Sequence, residues 1–215
     1  MAKEISHDEL KELQMKILDH IDDFCTKYQI RYSLSSGTLL GAVRHGGYIP
    51  WDDDIDIMML REDYEKFTNC YKNESSVEYY QLLDHHVKSD YSCLFMKIHD
   101  TRTLVNEDWQ LPELGIYVDI FPIDKIPCNQ FVGWLQYWII SFLNAIIISK
   151  KSQKKTRILW KQVIVNILSM FPVNAAWDFL NWLYKKNSPA VGHGPMGTGT
   201  ALCRVTALVH QIGVS

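Results

Sequence analysis

Four aspartates crowd into five positions of this chain: Asp52, Asp53, Asp54 and Asp56, with only Ile55 between them. Asp54-Ile55-Asp56-Ile57 alternates with period two, the pattern of a half-buried strand, so Asp54 and Asp56 share one face with their bases roughly 6–7 Å apart. Like charges held that close repel, and neither is easily buried without a partner. A hard divalent cation resolves the conflict, since Mg²⁺ takes carboxylate oxygens and substrate phosphates into one shell, with Mn²⁺ as its substitute. Acidic runs are usually solvated surface, but the interleaved isoleucines and the trailing Met58-Met59-Leu60 oppose that reading here. A calcium loop of the EF-hand type is excluded: its sixth position needs Gly and holds Ile57, and its twelfth holds Asp63 rather than Glu.

Upstream, Ser36-Gly37-Thr38 forms a small turn, and Leu39, Leu40, Ala42 and Val43 continue as a helix that Gly46-Gly47 stops. A helix starting at that turn aims its free backbone N–H groups and its dipole at an anion, which suits a phosphate beside a metal. Arg44 and His45 fall at the far end of the helix, where they either reach a diphosphate or complement the C-terminal dipole. A second stretch, Gly115 to Pro122, reads as a strand with Asp119 alone among apolar residues, a position an aspartate holds only with a partner. Asp124 reads as a turn or cap residue. Lys97 lies inside an apolar strand, so its ammonium either snorkels out or meets a carboxylate or phosphate.

Gly37-Thr38 followed by Asp54-Ile55-Asp56-Ile57 resembles the glycine turn and acidic strand of the nucleotidyltransferase fold. The longer string from Gly37 to Pro50, then Trp51-Asp52-Asp53-Asp54-Ile55-Asp56, resembles the LicD family of phosphotransferases, which includes bacterial phosphocholine transferases and, more distantly, fukutin-type sugar phosphotransferases. The likeness covers roughly the first 125 residues. It implies an α+β fold with a nucleotidyltransferase-like mixed sheet. It also implies that Asp119 completes a metal-binding triad with Asp54 and Asp56 and acts as general base, that Ser36, Gly37 and Thr38 hold phosphate oxygens with Arg44, and His45 less strongly, in support, and that Lys97 meets a carboxylate or phosphate. The implied reaction passes a phosphate-linked alcohol, phosphocholine above all, from a CDP-activated donor to a hydroxyl of a cell-surface glycan of the lipopolysaccharide or teichoic acid type. Tyr48, Trp51 and Trp109 offer aromatic faces for a quaternary ammonium. Two alternatives stay open: a nucleotidyltransferase releasing pyrophosphate, and a catalytically silent, membrane-associated binding protein.

The elements that must position these residues follow from the surrounding pattern. Ser6 and Glu9 form a capping box, and Leu10, Leu13, Ile17, Ile21 and Phe24 continue a helix of about five turns to Tyr28, expected to be purely structural. Tyr32-Ser33-Leu34 suits a strand entering the glycine turn. Arg61 opens a helix burying Tyr64, Phe67 and Tyr71, and 77–83, 92–98 and 103–105 read as strands. His85, His86 and His99 lack metal-ligand spacing and read as surface or turn residues. Five cysteines without a Cys-x-x-Cys pair argue against a disulfide framework and for a reducing compartment.

Residues 1–128, the expected catalytic core, carry 24 acidic and 13 basic side chains, whereas 129–215 carry one acidic and nine basic. The acidic half hosts the best site, which disfavours a nucleic-acid partner. The basic half suits an anionic membrane surface. Within it, 131–149 is uncharged, Lys150, Lys151, Lys154, Lys155 and Arg157 follow, and a second amphipathic segment runs over 158–184. A buried helical hairpin, an interfacial helix and a membrane span compete for 129–186. Residues 187–215 hold five glycines and no acidic residue and read as an irregular tail. The family's further acidic and aromatic C-terminal region has no counterpart there, so the chain reads as truncated or altered at its end. The N-terminus lacks an apolar signal core, and the expected location is the cytoplasm, with peripheral contact at the inner face of the membrane.

Overall fold

A computed structural model describes residues 4–74, 77–84, 87, 91, 93, 95–105, 113–124, 130–151, 178, 179 and 182. The order of elements is α1 (His7–Tyr28), β1 (Ser33–Leu34), α2 (Ser36–His45), β2 (Asp56–Leu60), α3 (Arg61–Glu74), β3 (Tyr80–Leu83), β4 (Met96–Asp100), β5 (Tyr117–Ile123) and α4 (Gln130–Lys151). The five strands form one sheet in the order β1-β2-β5-β4-β3. Among the described strands only β2 and β5 run parallel; the other pairs are antiparallel. The architecture is α+β with a mixed sheet, as expected.

Period two divides this sheet into two unlike faces. Ile57, Ile120 and Met96 stand in one register row, and Leu82, Ile98 and Val118 in another. These residues join Ile17, Ile21 and Phe24 of α1 and Phe67 and Tyr71 of α3 in the hydrophobic core. The opposite face carries the row Asp56, Asp119, Lys97 and Leu83. The apolar face and its two covering helices thus fix the sheet, and the other face holds the charged row next to a smaller apolar cluster of Leu83, Tyr91 and Leu114.

The helix starts and stops follow local chemistry. Ser6 caps α1 with both halves of a capping box, and Gln29 closes it in a left-handed conformation. Gly46, at φ +67°, closes α2 and donates its N–H to Gly41. Three expectations need correction. The β2 ladder begins at Asp56, so Asp54 lies in the loop before the strand rather than in it. Thr103–Val105 is not a strand: Asp100 accepts from the backbone N–H and guanidinium of Arg102, its carbonyl accepts from Thr103, and the chain folds back. His99 is not a surface residue but is buried in β4, its Nδ1 accepting from the Gly115 N–H at 3.3 Å. His85, His86, Trp109, most of 152–186 and all of 187–215 lie outside the described residues.

The chain divides into two compact units, Met1–Ile123 and Asp124–Ser215. The first contains the whole sheet with α1, α2 and α3; the second contains α4. No described helix is long and apolar enough to cross a membrane.

Candidate active site

Asp56 and Asp119 are register partners on parallel strands, and Asp119 faces Lys97 across the antiparallel pair on its other side. One negative, one negative and one positive group therefore line up across three adjacent strands. Lys97 is 2% exposed, and its ammonium donates to Asp119 Oδ1. It also stands 3.5 Å from the centre of the Tyr117 ring and 5.1 Å from that of Phe95. Of the options open to this lysine, the structure shows the carboxylate partner. A buried ammonium with a carboxylate and two aromatic faces is satisfied where a lone one would not be.

Asp56 feels the arrangement most directly. Burial first, and Asp119 second, push its carboxyl up to about 6, against a hydrogen bond from Ser36 and the charge of Lys97. Asp54 is also raised to about 6, by burial and then by Asp56, Asp52 and Asp53. These are acids held in an environment that resists their negative charge, the condition a cation relieves.

The glycine corner is bonded to the start of β2. The Ser35 N–H donates to the Asp56 carbonyl at 2.9 Å, and the Asp56 N–H donates to Thr38 Oγ1 at 2.8 Å. Ser36 has φ +46°, a left-handed conformation rare for a side-chain-bearing residue. Gly37 lets Asp52 come close: a Cβ there would sit 2.5 Å from Asp52 Oδ2 and displace that carboxylate. The protein's own carboxylates thus approach this corner, Asp52 beside Gly37 and Asp56 through its hydrogen bond with Ser36. Asp52 Oδ2 is buried without a hydrogen-bond partner among the described residues. Asp52, Asp53 and Asp54 each offer an oxygen, all within 4.8 Å of one another.

An all-oxygen donor set with one buried, orphaned oxygen fits a hard cation such as Mg²⁺. Asp54 and Asp56 would hold it, with Asp119 next to Asp56 and Asp52 supplying the oxygen that lacks a partner. Asp52 and Asp53 were in view as part of the acidic run, but nothing local marks which carboxylate turns toward Gly37.

Arg44 and His45 stand exposed at the opposite end of α2, and His45 meets Trp51 edge-on at 6.1 Å. At 1.5 Å rise per residue, Arg44 lies about 9 Å along the axis from Thr38, so the structure does not gather these two with the carboxylate row. Trp51 is exposed, and Tyr48 is half-buried; burial first, and then the charges of Asp54, Asp52 and Asp53, raise its phenol far above its ordinary value.

Helix α1 was expected to be structural only, yet it reaches this loop. Gln14 Nε2 donates to the Asp53 carbonyl at 2.9 Å, and Lys11 Nζ donates to the Pro50 carbonyl at 3.0 Å. The available signal was positional: Gln14 occupies a place in the apolar stripe Leu10, Ile17, Ile21, where a polar residue needs a partner.

Comparison with known proteins bears on the same segment. The family model for the LicD/FKTN/FKRP nucleotidyltransferase domain matches residues 29–142, more than half of the chain. The lipopolysaccharide cholinephosphotransferase LicD of Haemophilus influenzae is 38% identical over 121 residues, 55% of this chain and 45% of that protein. The uncharacterized protein RP689 of Rickettsia prowazekii is 50% identical over 48 residues, 22% of this chain and 18% of that one. The ribitol 5-phosphate transferase FKRP of Homo sapiens is 56% identical over 34 residues, 16% of this chain and 7% of that protein. The chain spans less than half the length of these curated relatives.

Proposed function

Because this chain belongs to the LicD/FKTN/FKRP family, we propose that it transfers a phosphate-linked alcohol, phosphocholine in the first instance, from a CDP-activated donor to a glycan hydroxyl. The observation that carries this reading is the row Asp56–Asp119–Lys97 beside the Asp52–Asp54 cluster with its orphaned oxygen. Bound there, Mg²⁺ would neutralise donor phosphates and the charge that develops on the leaving group.

The chain's own residues have separate tasks. Backbone N–H groups of Ser36, Gly37 and Thr38 orient the donor diphosphate, with Arg44 and His45 as outlying cationic and polar support. The acceptor oxygen attacks the phosphorus that carries the alcohol, the bond from that phosphorus to the CMP oxygen breaks, and CMP leaves. Asp119 receives the hydroxyl proton. Lys97 holds Asp119 in place through the buried ion pair, and its role toward substrate is exerted through that carboxylate.

The direct test follows the nucleotide formed from CDP-choline with and without Mg²⁺, using a glycolipid acceptor. CMP in step with phosphocholine on the acceptor is the expected result. Pyrophosphate from a nucleoside triphosphate donor would mark nucleotidyl transfer instead. Asp54→Ala and Asp56→Ala should each lower the rate on the order of 10³-fold or more, and undiminished transfer in either variant would overturn the proposal.

For the acceptor and the location, the supporting element is α4. Phe131, Trp134, Leu135, Trp138 and Phe142 are all exposed and recur at helical spacing along one face. The helix has no acidic residue and ends on Lys150-Lys151. This supports a cytoplasmic location with peripheral seating at an anionic membrane surface, where a lipid-linked glycan acceptor would be found.

A further inference from the structure

Gln14 is 3% exposed and sits on α1 with three hydrogen-bonding partners from three other places in the chain. Its Nε2 donates to the Asp53 carbonyl at 2.9 Å and to the Tyr117 carbonyl at 3.4 Å. Its Oε1 accepts from the Tyr48 hydroxyl at 2.6 Å. The two carbonyls belong to the two segments that carry the carboxylates. Asp53 is inside the acidic loop, and Tyr117 opens β5 two residues before Asp119. One further bond joins the same segments, from the Asp119 N–H to the Ile55 carbonyl at 2.9 Å.

We propose that Gln14 is a positioning residue that fixes the spacing between the Asp52–Asp54 loop and the Asp56–Asp119 pair, and hence the geometry in which these carboxylates accept a divalent cation. Only a primary amide meets the demand, because it offers two N–H donors and an acceptor from one planar head. Glutamate would set an acceptor against two carbonyls, and lysine would offer Tyr48 no acceptor. Lys11, one turn earlier on the same face, secures the approach to the loop through the Pro50 carbonyl at 3.0 Å and the Ile49 carbonyl at 3.5 Å. Helix α1 precedes the segment matched by the family model, which begins at residue 29, so the assignment comes from this geometry. It rests on the metal-dependent reading above.

The test is Gln14→Met in the full chain, with Mn²⁺ as the probe. Mn²⁺ binding is followed by electron paramagnetic resonance, amide hydrogen exchange is followed at Ile55 and Asp119, and transfer is measured as a function of Mn²⁺ concentration. Residues that orient metal ligands typically change metal affinity 10–100-fold, so the Mn²⁺ dissociation constant should rise about tenfold or more. The Asp119 amide, which reports the loop-to-strand bond, should exchange faster, and kcat should recover at saturating Mn²⁺. Tyr48→Phe, which keeps the ring and removes only the donor to Gln14 Oε1, should move Mn²⁺ affinity the same way by a smaller factor, about two- to threefold, and covers the case in which Gln14→Met does not fold. A lowered melting temperature with Mn²⁺ affinity within twofold of wild type would reduce Gln14 to a packing residue and overturn the proposal. Wild-type protein that neither binds Mn²⁺ nor transfers would sink the metal-dependent reading. The exchange rates then judge Gln14 alone, and unchanged protection at Asp119 in Gln14→Met overturns the link as well.

Discussion

Asp54 and Asp56 carry the cost of the site in their proton affinity. Both sit near 6, raised from an ordinary value of 3.8 chiefly by burial. Between those limits the folded protein binds more protons than the unfolded chain, so their contribution to stability is full below about pH 3.8 and is lost as pH rises through 6. Metal-free protein carrying Asp56→Asn, a neutral isostere, should therefore melt about 3 °C or more above wild type at pH 7.5, and the gap should close by pH 4. A scanning fluorimetry series in chelator checks it; an Asn variant melting below wild type at pH 7.5 would contradict it. Lys97 presents the reverse case. Lys97→Met strands Asp119 as a buried anion, which typically costs about 3–5 kcal/mol, whereas Lys97→Met combined with Asp119→Leu should recover most of that loss in urea unfolding. At this scale the sequence was informative about residue types and silent about partners. An aspartate and a lysine, each alone in an apolar strand, both asked for a counter-charge, but nothing near Lys97 or Asp119 says that each is the answer to the other.

Among the elements, α2 and the acidic loop depend on close backbone approach. A Cβ on Gly41 would lie 2.5 Å from the Gly47 carbonyl and 3.1 Å from the Ile49 nitrogen, both main-chain atoms that cannot swing aside. Gly41→Ala should cost about 1–3 kcal/mol in urea unfolding, as overpacking does; a stability within 0.5 kcal/mol of wild type would show that the turn at 46–49 yields easily. Gly37→Ala meets only the Asp52 carboxylate, so its effect should fall on Mn²⁺ affinity more than on folding. The local signals that foretold α1, α2 and α3 are caps, apolar spacing and glycine stops, all short-range. Strand pairing is not short-range. Period two in 115–122 told which residues share a face, and in 54–57 it held only from Asp56 onward, but the pairing of β5 with β2 is a contact across more than sixty residues, visible in no local pattern. The same limit hid Gln14, whose partners Asp53 and Tyr117 lie 39 and 103 positions away. Thr103–Val105 failed for the opposite reason: its β-branched residues read as strand, and the Asp100–Arg102 pair bends the chain before a ladder can form.

Over the whole chain, charge and apolar surface segregate together. The acidic half contains the sheet face that carries Asp56, Asp119 and Lys97, and the basic half begins with a helix whose exposed side is aromatic. Tryptophan and tyrosine rings suit the boundary between headgroups and acyl chains, and lysines attract anionic lipid at about 1 kcal/mol each near the surface. On the peripheral seating proposed above, such a helix would lie in the plane of a membrane; no described helix is long and apolar enough to cross one. The full chain should therefore co-sediment with vesicles containing phosphatidylglycerol and much less with phosphatidylcholine alone. Raising salt from 0.1 M to 1 M shortens the screening length from about 10 Å to about 3 Å, which should release most of the electrostatic share and leave an aromatic remainder. Lys150→Ala with Lys151→Ala should weaken binding roughly tenfold or more at low salt. Trp134→Ala with Trp138→Ala should remove the salt-resistant part. Equal affinity for charged and neutral vesicles, or binding indifferent to both pairs of substitutions, would detach this helix from the membrane and leave its aromatic face to some other use.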